Sequence, residues 1–261
     1  MQIHELKCFG EHSGDGNPAL VIEGDRSNEA GRRAFARERN TTCVYIDADD
    51  AADGADAACV LDYFYPHTRS PLCLHATLAA AQVLFARQGS GTPLTVTTAM
   101  RSQPLLLSPR GADVFVGLVR QAPPRVVIAP GLPAAPGLEP LAAPTVASVG
   151  SPKLLIEVAD LATLYAIRPD LAAIVDWGKE SGVNGWYVYC RVGDDAYEGR
   201  NFNHLDPALE DSATGVAAGA LSALLGRGIS LRQGKATGRN CLIRTRVEDD
   251  AILVGGRAEP A

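Results

Sequence analysis

Two stretches of this chain, Ala76 to Arg87 (ATLAAAQVLFAR) and Val216 to Leu225 (VAAGALSALL), are rich in good helix formers yet carry no polar stripe. A helix that is apolar on nearly every face is stable only when protein encloses it, so the fold must wrap other elements around each one. Gly89, just past the first stretch, supplies a stop. The surrounding segments carry the β-branched and aromatic content of strands. Before the linker these are IHELKCF (3–9), PALVIEG (18–24), TTCVYID (41–47), ACVLDYFY (58–65), PLTVTTA (93–99), PLLLS (104–108) and ADVFVGLV (112–119). After it come KLLIEVA (153–159), GWYVYCR (185–191), YEGRNFN (197–203), NCLIRTRV (240–247) and AILVGGR (251–257). A short helix is expected between the second and third runs, capped by Ser27, with Ala30, Ala34 and Phe35 on one face. Further helix is expected within 160–180. Residues 122–144 hold seven of the seventeen prolines and read as a linker. The expected organisation is an N-terminal lobe (1–121), the linker (122–144) and a C-terminal lobe (145–261), with the last strand, 251–257, a candidate to complete the first lobe. Each lobe wraps strands around one buried helix, and facing lobes would bring both helix starts to a shared cleft.

The net charge of −6, with scattered basic residues, argues against nucleic acid or an anionic membrane as the main partner. The opening MQIHELKCFGEH lacks the apolar run of a secretion signal, and no stretch approaches about 18 apolar residues. Six cysteines without a CxxC pair read as reduced thiols of a cytoplasmic protein rather than a disulfide framework or zinc site. The five histidines show neither HxH nor HExxH spacing, so no metal is expected. GDGNP (14–18) lacks the lysine and following helix of a phosphate loop, and there is no GxSxG elbow.

Several short segments, in order, resemble the phenazine-biosynthesis isomerase (PhzF-like) family. Gly16-Asn17-Pro18-Ala19 is similar to its G-N-P, and Ala36-Arg37-Glu38-Arg39-Asn40 with Thr41-Thr42 to its A-R-E-x-N-x-S. Phe64-Tyr65-Pro66 and Cys73-Leu74-His75-Ala76 resemble F-T-P and A-G-H-P. Val149-Gly150-Ser151-Pro152 resembles T-G-x-P, Arg200-Asn201-Phe202 resembles R-x-F, and Glu210-Asp211-Ser212-Ala213-Thr214-Gly215 resembles E-D-P-A-T-G. Gln233-Gly234, Gly238-Arg239 and Gly255-Gly256 match its closing elements. The resemblance implies an α+β, diaminopimelate epimerase-like fold of two pseudo-symmetric lobes, each a curled, mostly antiparallel sheet around a central helix. It also implies pairing into homodimers and proton transfer at carbon without a cofactor.

Taking a proton from carbon beside a carboxylate or imine needs a base and a place for the developing anion. Helix starts offer free N–H groups and a dipole that attract carboxylates. On that logic Leu74, His75 and Ala76, and Ser212, Ala213, Thr214 and Gly215, cradle the acidic groups of a small carboxylate-bearing substrate, with Asn17 a further contact. In the phenazine branch a glutamate follows N-x-S and shuttles the proton; counted without a gap, that position is Cys43, and a gap would delete it. Glu38 sits too early to replace it. The epimerase branch places thiols at the two helix starts, where this chain has Cys73 and Ser212. A thiol at a helix start beside His75 is placed to give up its proton; the alternative is a small buried hydrophobe. Asp211 is read either as orienting His75 or a substrate amine, or as a plain helix cap. Val216, Leu74 and Ala76 point to a more apolar ligand than the family's. His67, Arg69 and His204 are expected on loops.

The leading expectation is an isomerase that shifts a double bond on a conjugated amino- or imino-acid intermediate of antibiotic-type metabolism. An epimerase or racemase using Cys73 against Ser212 or Cys43, a dehydratase of a hydroxylated proline, and a degenerate ligand-binding member are the alternatives.

Overall fold

In the computed structural model, residues 1–48, 59–89, 91–119, 126, 132–202 and 210–261 are described. The chain divides into two compact units, 1–117 with 255–261, and 118–254, each mixing sheet and helix. Part of 122–144 lies outside the described residues, but its described part is not a free tether. Val126, Leu132, Ala135 and Leu138 are partly buried against the core of the second unit. Apolar residues between the prolines give this segment a surface to dock.

The first unit runs β1 (Gln2–Cys8), β2 (Asn17–Glu23), α1 (Glu29–Arg39), β3 (Thr42–Ala48), β4 (Cys59–Phe64), β5 (Arg69–Ser70), α2 (Leu74–Gln88), β6 (Leu94–Thr98), β7 (Pro104–Arg110) and most of β8 (Asp113–Val119). β2 pairs parallel with β3 and β4 with β6, and the other neighbours are antiparallel. Parallel neighbours need a crossover, and those two steps are where α1 and α2 intervene. As its composition demands, α2 packs against β1 through β4, and Leu78, Ala79, Ala80 and Ala81 are fully enclosed.

The expectation for α1 needs correction. Asn28, not Ser27, caps it, accepting from Gly31 N–H at 3.1 Å, while Ser27 turns its hydroxyl to Asp25. The inward face is Arg32 and Ala36, with Phe35 partly buried against the same core; Ala30 and Ala34 are exposed. Arg32 is tolerated inside because its guanidinium meets three carboxylates, Asp25 at 3.0 Å, Asp47 at 2.7 Å and Asp62 at 3.2 Å.

The second unit runs β9 (Thr145–Ala147), β10 (Lys153–Glu157), α3 (Leu161–Ala166), α4 (Leu171–Ser181), β11 (Trp186–Arg191), β12 (Ala196–Phe202), α5 (Gly215–Leu225), β13 (Ser230–Gln233), β14 (Cys241–Val247) and the start of β15 (Ala251–Pro260). Its pairings follow the same order: antiparallel β9/β10, parallel β10/β11, antiparallel β11/β12, parallel β12/β13, antiparallel β13/β14. β9 is only three residues long and β13 (Ser-Leu-Arg-Gln) has no β-branched residue, so neither reads as a strand from sequence. One face of the sheet, with Leu154, Ile156, Trp186, Val188 and Phe202, meets α3 and α4 in an apolar core. The other faces α5, which packs against β14, β9 and β10. The small residues of α5 are a fit requirement: a Cβ on Gly219 would lie 2.8 Å from Val149 and 3.0 Å from Val254. From Gly255 onward β15 belongs to the first unit, where Cys8 pairs with Ala258.

Candidate active site

The peripheral helices begin conventionally. Asn28, Asp160 and Asp170 each accept a bond from a first-turn N–H of α1, α3 and α4. The two central helices do not. α2 starts at Cys73 and α5 at Thr214, and neither side chain caps its helix. The first N–H groups of a helix have no partner within it, so at these two buried starts they are satisfied from outside the helix or by a ligand.

In the first unit, Cys73 Sγ lies 3.3 Å from His75 Nδ1 and 3.8 Å from Nε2, and both residues are buried. The thiol therefore has a direct proton partner. Thr77 anchors the turn, donating its hydroxyl to the Cys73 carbonyl at 2.8 Å and meeting Tyr63 Oη at 2.8 Å. Tyr65 approaches His75 from one side and stacks on His67. Leu74 and Ala76 flank His75 and are buried. Asn17 is half-buried at the start of β2, opposite Cys8. The preceding Gly16 (φ 114°) is required there, since a Cβ would lie 2.7 Å from the Cys8 carbonyl oxygen.

Cys43 does not fit the part the ungapped count gives it. It is fully buried on β3 among Leu20, Ile22, Ala36, Tyr45 and Phe64, and burial pushes its thiol up to about 12. It behaves as a small hydrophobe with an S–H bond to the Thr41 carbonyl at 3.5 Å. Arg69 forms a salt-bridge network with Asp62 and Glu29. His204 lies outside the described residues.

In the second unit Asp211, Ser212, Ala213, Thr214 and Gly215 form the entry to α5. Thr214 donates its hydroxyl to Asp211 Oδ2 at 2.7 Å, and Ala213 N–H approaches Oδ1 at 3.5 Å. These bonds brace the turn into α5, while the N-cap position itself is Thr214. Ser212 Oγ is 2.8 Å from Thr237 Oγ1, a hydroxyl partner rather than a base. Gln233 organises the turn. Its Oε1 accepts from Thr214 N–H and from Tyr187 Oη–H, each at 3.1 Å. Its Nε2 donates to the Asp211 carbonyl at 2.7 Å and to Thr214 Oγ1 at 3.0 Å. Burial raises the Tyr187 phenol well above its ordinary value, which keeps it a donor. Arg200 secures the strand leading in, with a two-pronged bond to Glu210 at 3.0 and 2.9 Å. It also donates to the Leu164 and Ile167 carbonyls at 2.9 and 3.0 Å.

Two residues near this entry escape sequence reasoning. Lys153 is 2 % exposed, donates to the Asn184 carbonyl, and is held down to about 8 by burial, which the Asp211 carboxylate partly opposes. Asn201 is wholly buried. A lone lysine opening an apolar strand was the available signal for the first; the second had none. Among the described residues, no cluster of three or more His, Cys, Asp or Glu side chains is placed to hold a metal.

Comparison with known proteins places these features in a lineage. Residues 6–260 match the family described as phenazine biosynthesis-like protein, PhzC-PhzF. An uncharacterized isomerase of Deinococcus radiodurans is 31% identical over 254 residues, covering 90% of this chain and 80% of that protein. The uncharacterized isomerase YddE of Escherichia coli K12 is 27% identical over 298 residues, covering 98% and 95%. The crystal structure of a Bacillus anthracis phenazine biosynthesis protein of the PhzF family superposes with a TM-score of 0.79 at 17% identity, covering 100% of this chain and 98% of that one, a likeness of fold.

Proposed function

The chain belongs to the phenazine biosynthesis-like family and is an isomerase; on that footing we propose that it moves a proton, and with it a double bond, on a small conjugated amino- or imino-acid of antibiotic-type metabolism, without a cofactor. The proposal extends to two like lobes, a homodimer and a cytoplasmic setting.

The observation that carries the reading is the Cys73–His75 contact at the uncapped start of a buried helix. Cys73 passes its proton to His75, and the thiolate removes a proton from the substrate carbon. The electron pair left behind shifts along the conjugated system. The same thiol returns the proton to a second carbon on the same face, and His75 hands its proton back to the thiolate, so the pair ends as it began. The N–H groups and the dipole of a central helix start hold the carboxylate and the charge that develops beside it. An epimerase with Ser212 as its second base has weaker support, because that hydroxyl meets only another hydroxyl.

The test is proton NMR in heavy water with a panel of conjugated cyclic amino acids. The wild type should wash deuterium into a substrate carbon, and Cys73→Ser should slow that exchange by about 100-fold or more. Exchange unchanged by both Cys73→Ser and His75→Gln overturns the assignment, and no exchange with any member of the panel favours a ligand-binding protein.

A further inference from the structure

The side chain of Asn201 carries a feature that the proton transfer leaves unexplained. It is 0% exposed, and neither Oδ1 nor Nδ2 has a hydrogen-bond partner. Buried polar atoms are nearly always satisfied, so a primary amide orphaned at both ends calls for a reason. The other unpartnered buried atoms among the described residues are the ring nitrogens of Trp177 and Trp186, single donors inside the apolar core against α3 and α4. Asn201 belongs to the opposite face. On β12, Arg200 and Phe202 point toward α3 and α4, where Arg200 meets Leu164, Ile167 and Glu210. Alternation sends Asn201 the other way. Asn201 pairs with Asp211 in an antiparallel bridge, next to the Arg200–Glu210 pair, so it shares the side on which Asp211 braces Thr214. In register it is also opposite Tyr187, whose hydroxyl reaches Gln233 at the same helix start. The amide is thus directed at the uncapped start of α5.

The neighbourhood narrows what would satisfy it. Asn201 offers an acceptor and two donors. Lys153 lies on the same face of β10, buried and interacting with Asp211. An ammonium would serve only Oδ1 and would repel Lys153. A carboxylate would serve only Nδ2. A hydroxyl both donates and accepts and is neutral.

We infer that Asn201 is a specificity-determining residue, reading a hydroxyl carried next to the carboxylate that binds at the start of α5. This rests on the reading of that helix start as a carboxylate site, and it adds a hydroxyl to the substrate class. A site built to bond a hydroxyl rejects the analogue lacking it, because its own polar atoms are then left unpaired.

The experiment uses the full chain, labelled with nitrogen-15, titrated with mandelate and with phenylacetate, which differ only by a hydroxyl on the carbon beside the carboxylate. The expected result is tighter binding of mandelate by about tenfold or more, with the Asn201 Nδ2 resonances moving for mandelate alone. In Asn201→Leu the two acids should bind within about twofold of each other. Should that variant not fold, the Asn201 resonances of the wild type decide the matter. Equal binding by the wild type overturns the role of Asn201 while the carboxylate site stands. A preference for mandelate that survives in Asn201→Leu does the same. If neither acid binds, the carboxylate site and the inference fall together.

Discussion

Replacing Lys153 with Met isolates the cost of an ammonium inside the second unit. The amine is 2 % exposed, and burial holds it at about 8 against an ordinary 10.5. At about 1.4 kcal/mol per pH unit between those values, keeping Lys153 protonated in the fold costs roughly 3 kcal/mol. The sign follows from proton counting. Between pH 8 and 10.5 the unfolded chain binds the proton and the folded chain does not, so stability rises with pH across that window. Below about pH 8 the penalty is present in full; above about 10.5 it is gone. Met removes the titration but leaves the half-buried Asn184 carbonyl without its donor, a loss of roughly 1–3 kcal/mol at every pH. The variant should therefore be equal to the wild type or up to about 2 kcal/mol more stable near pH 7. Near pH 10.5 it should be the less stable protein. Urea unfolding of both proteins, in reductant, from pH 7 to 10.5 gives the difference curve, in which the other titrating groups cancel. A flat difference across that range refutes the argument, since it would mean that the amine keeps its ordinary affinity for the proton.

Arg200→Met should be severely destabilising, by about 3–5 kcal/mol in urea unfolding, because it strands the Glu210 carboxylate and two backbone carbonyls. Gly219→Ala should cost about 1–3 kcal/mol through overpacking against Val149 and Val254, seen as a lower melting temperature.

The two enclosed helices were legible because a helix without a polar stripe has only one kind of home, and α2 and α5 occupy it. The motifs at Cys73–Ala76 and Asp211–Gly215 were legible because each falls at the start of such a helix. What escaped the sequence depends on direction rather than identity. Arg32 and Lys153 look like surface charges until the carboxylates around the one and the strand face of the other are known. Asn201 sits between Arg200 and Phe202, and only the alternation of β12 reveals that it turns away from both. Cys43 follows Asn40-Thr41-Thr42 in sequence, but its burial among Leu20, Ile22 and Phe64 depends on neighbouring strands that linear position does not show.

The division of β15 between the two units has a consequence for synthesis. Ala258 pairs with Cys8, so the first unit takes one of its strand partners from the far end of the sequence, after residues 118–254. At about 5–20 residues per second, that intervening stretch takes roughly 7–27 s to emerge from a ribosome. Through that interval the nascent first unit holds an unpaired edge at β1. Its completion is gated by translation rather than by its own folding rate, and this is the period when a holdase chaperone would find its binding surface.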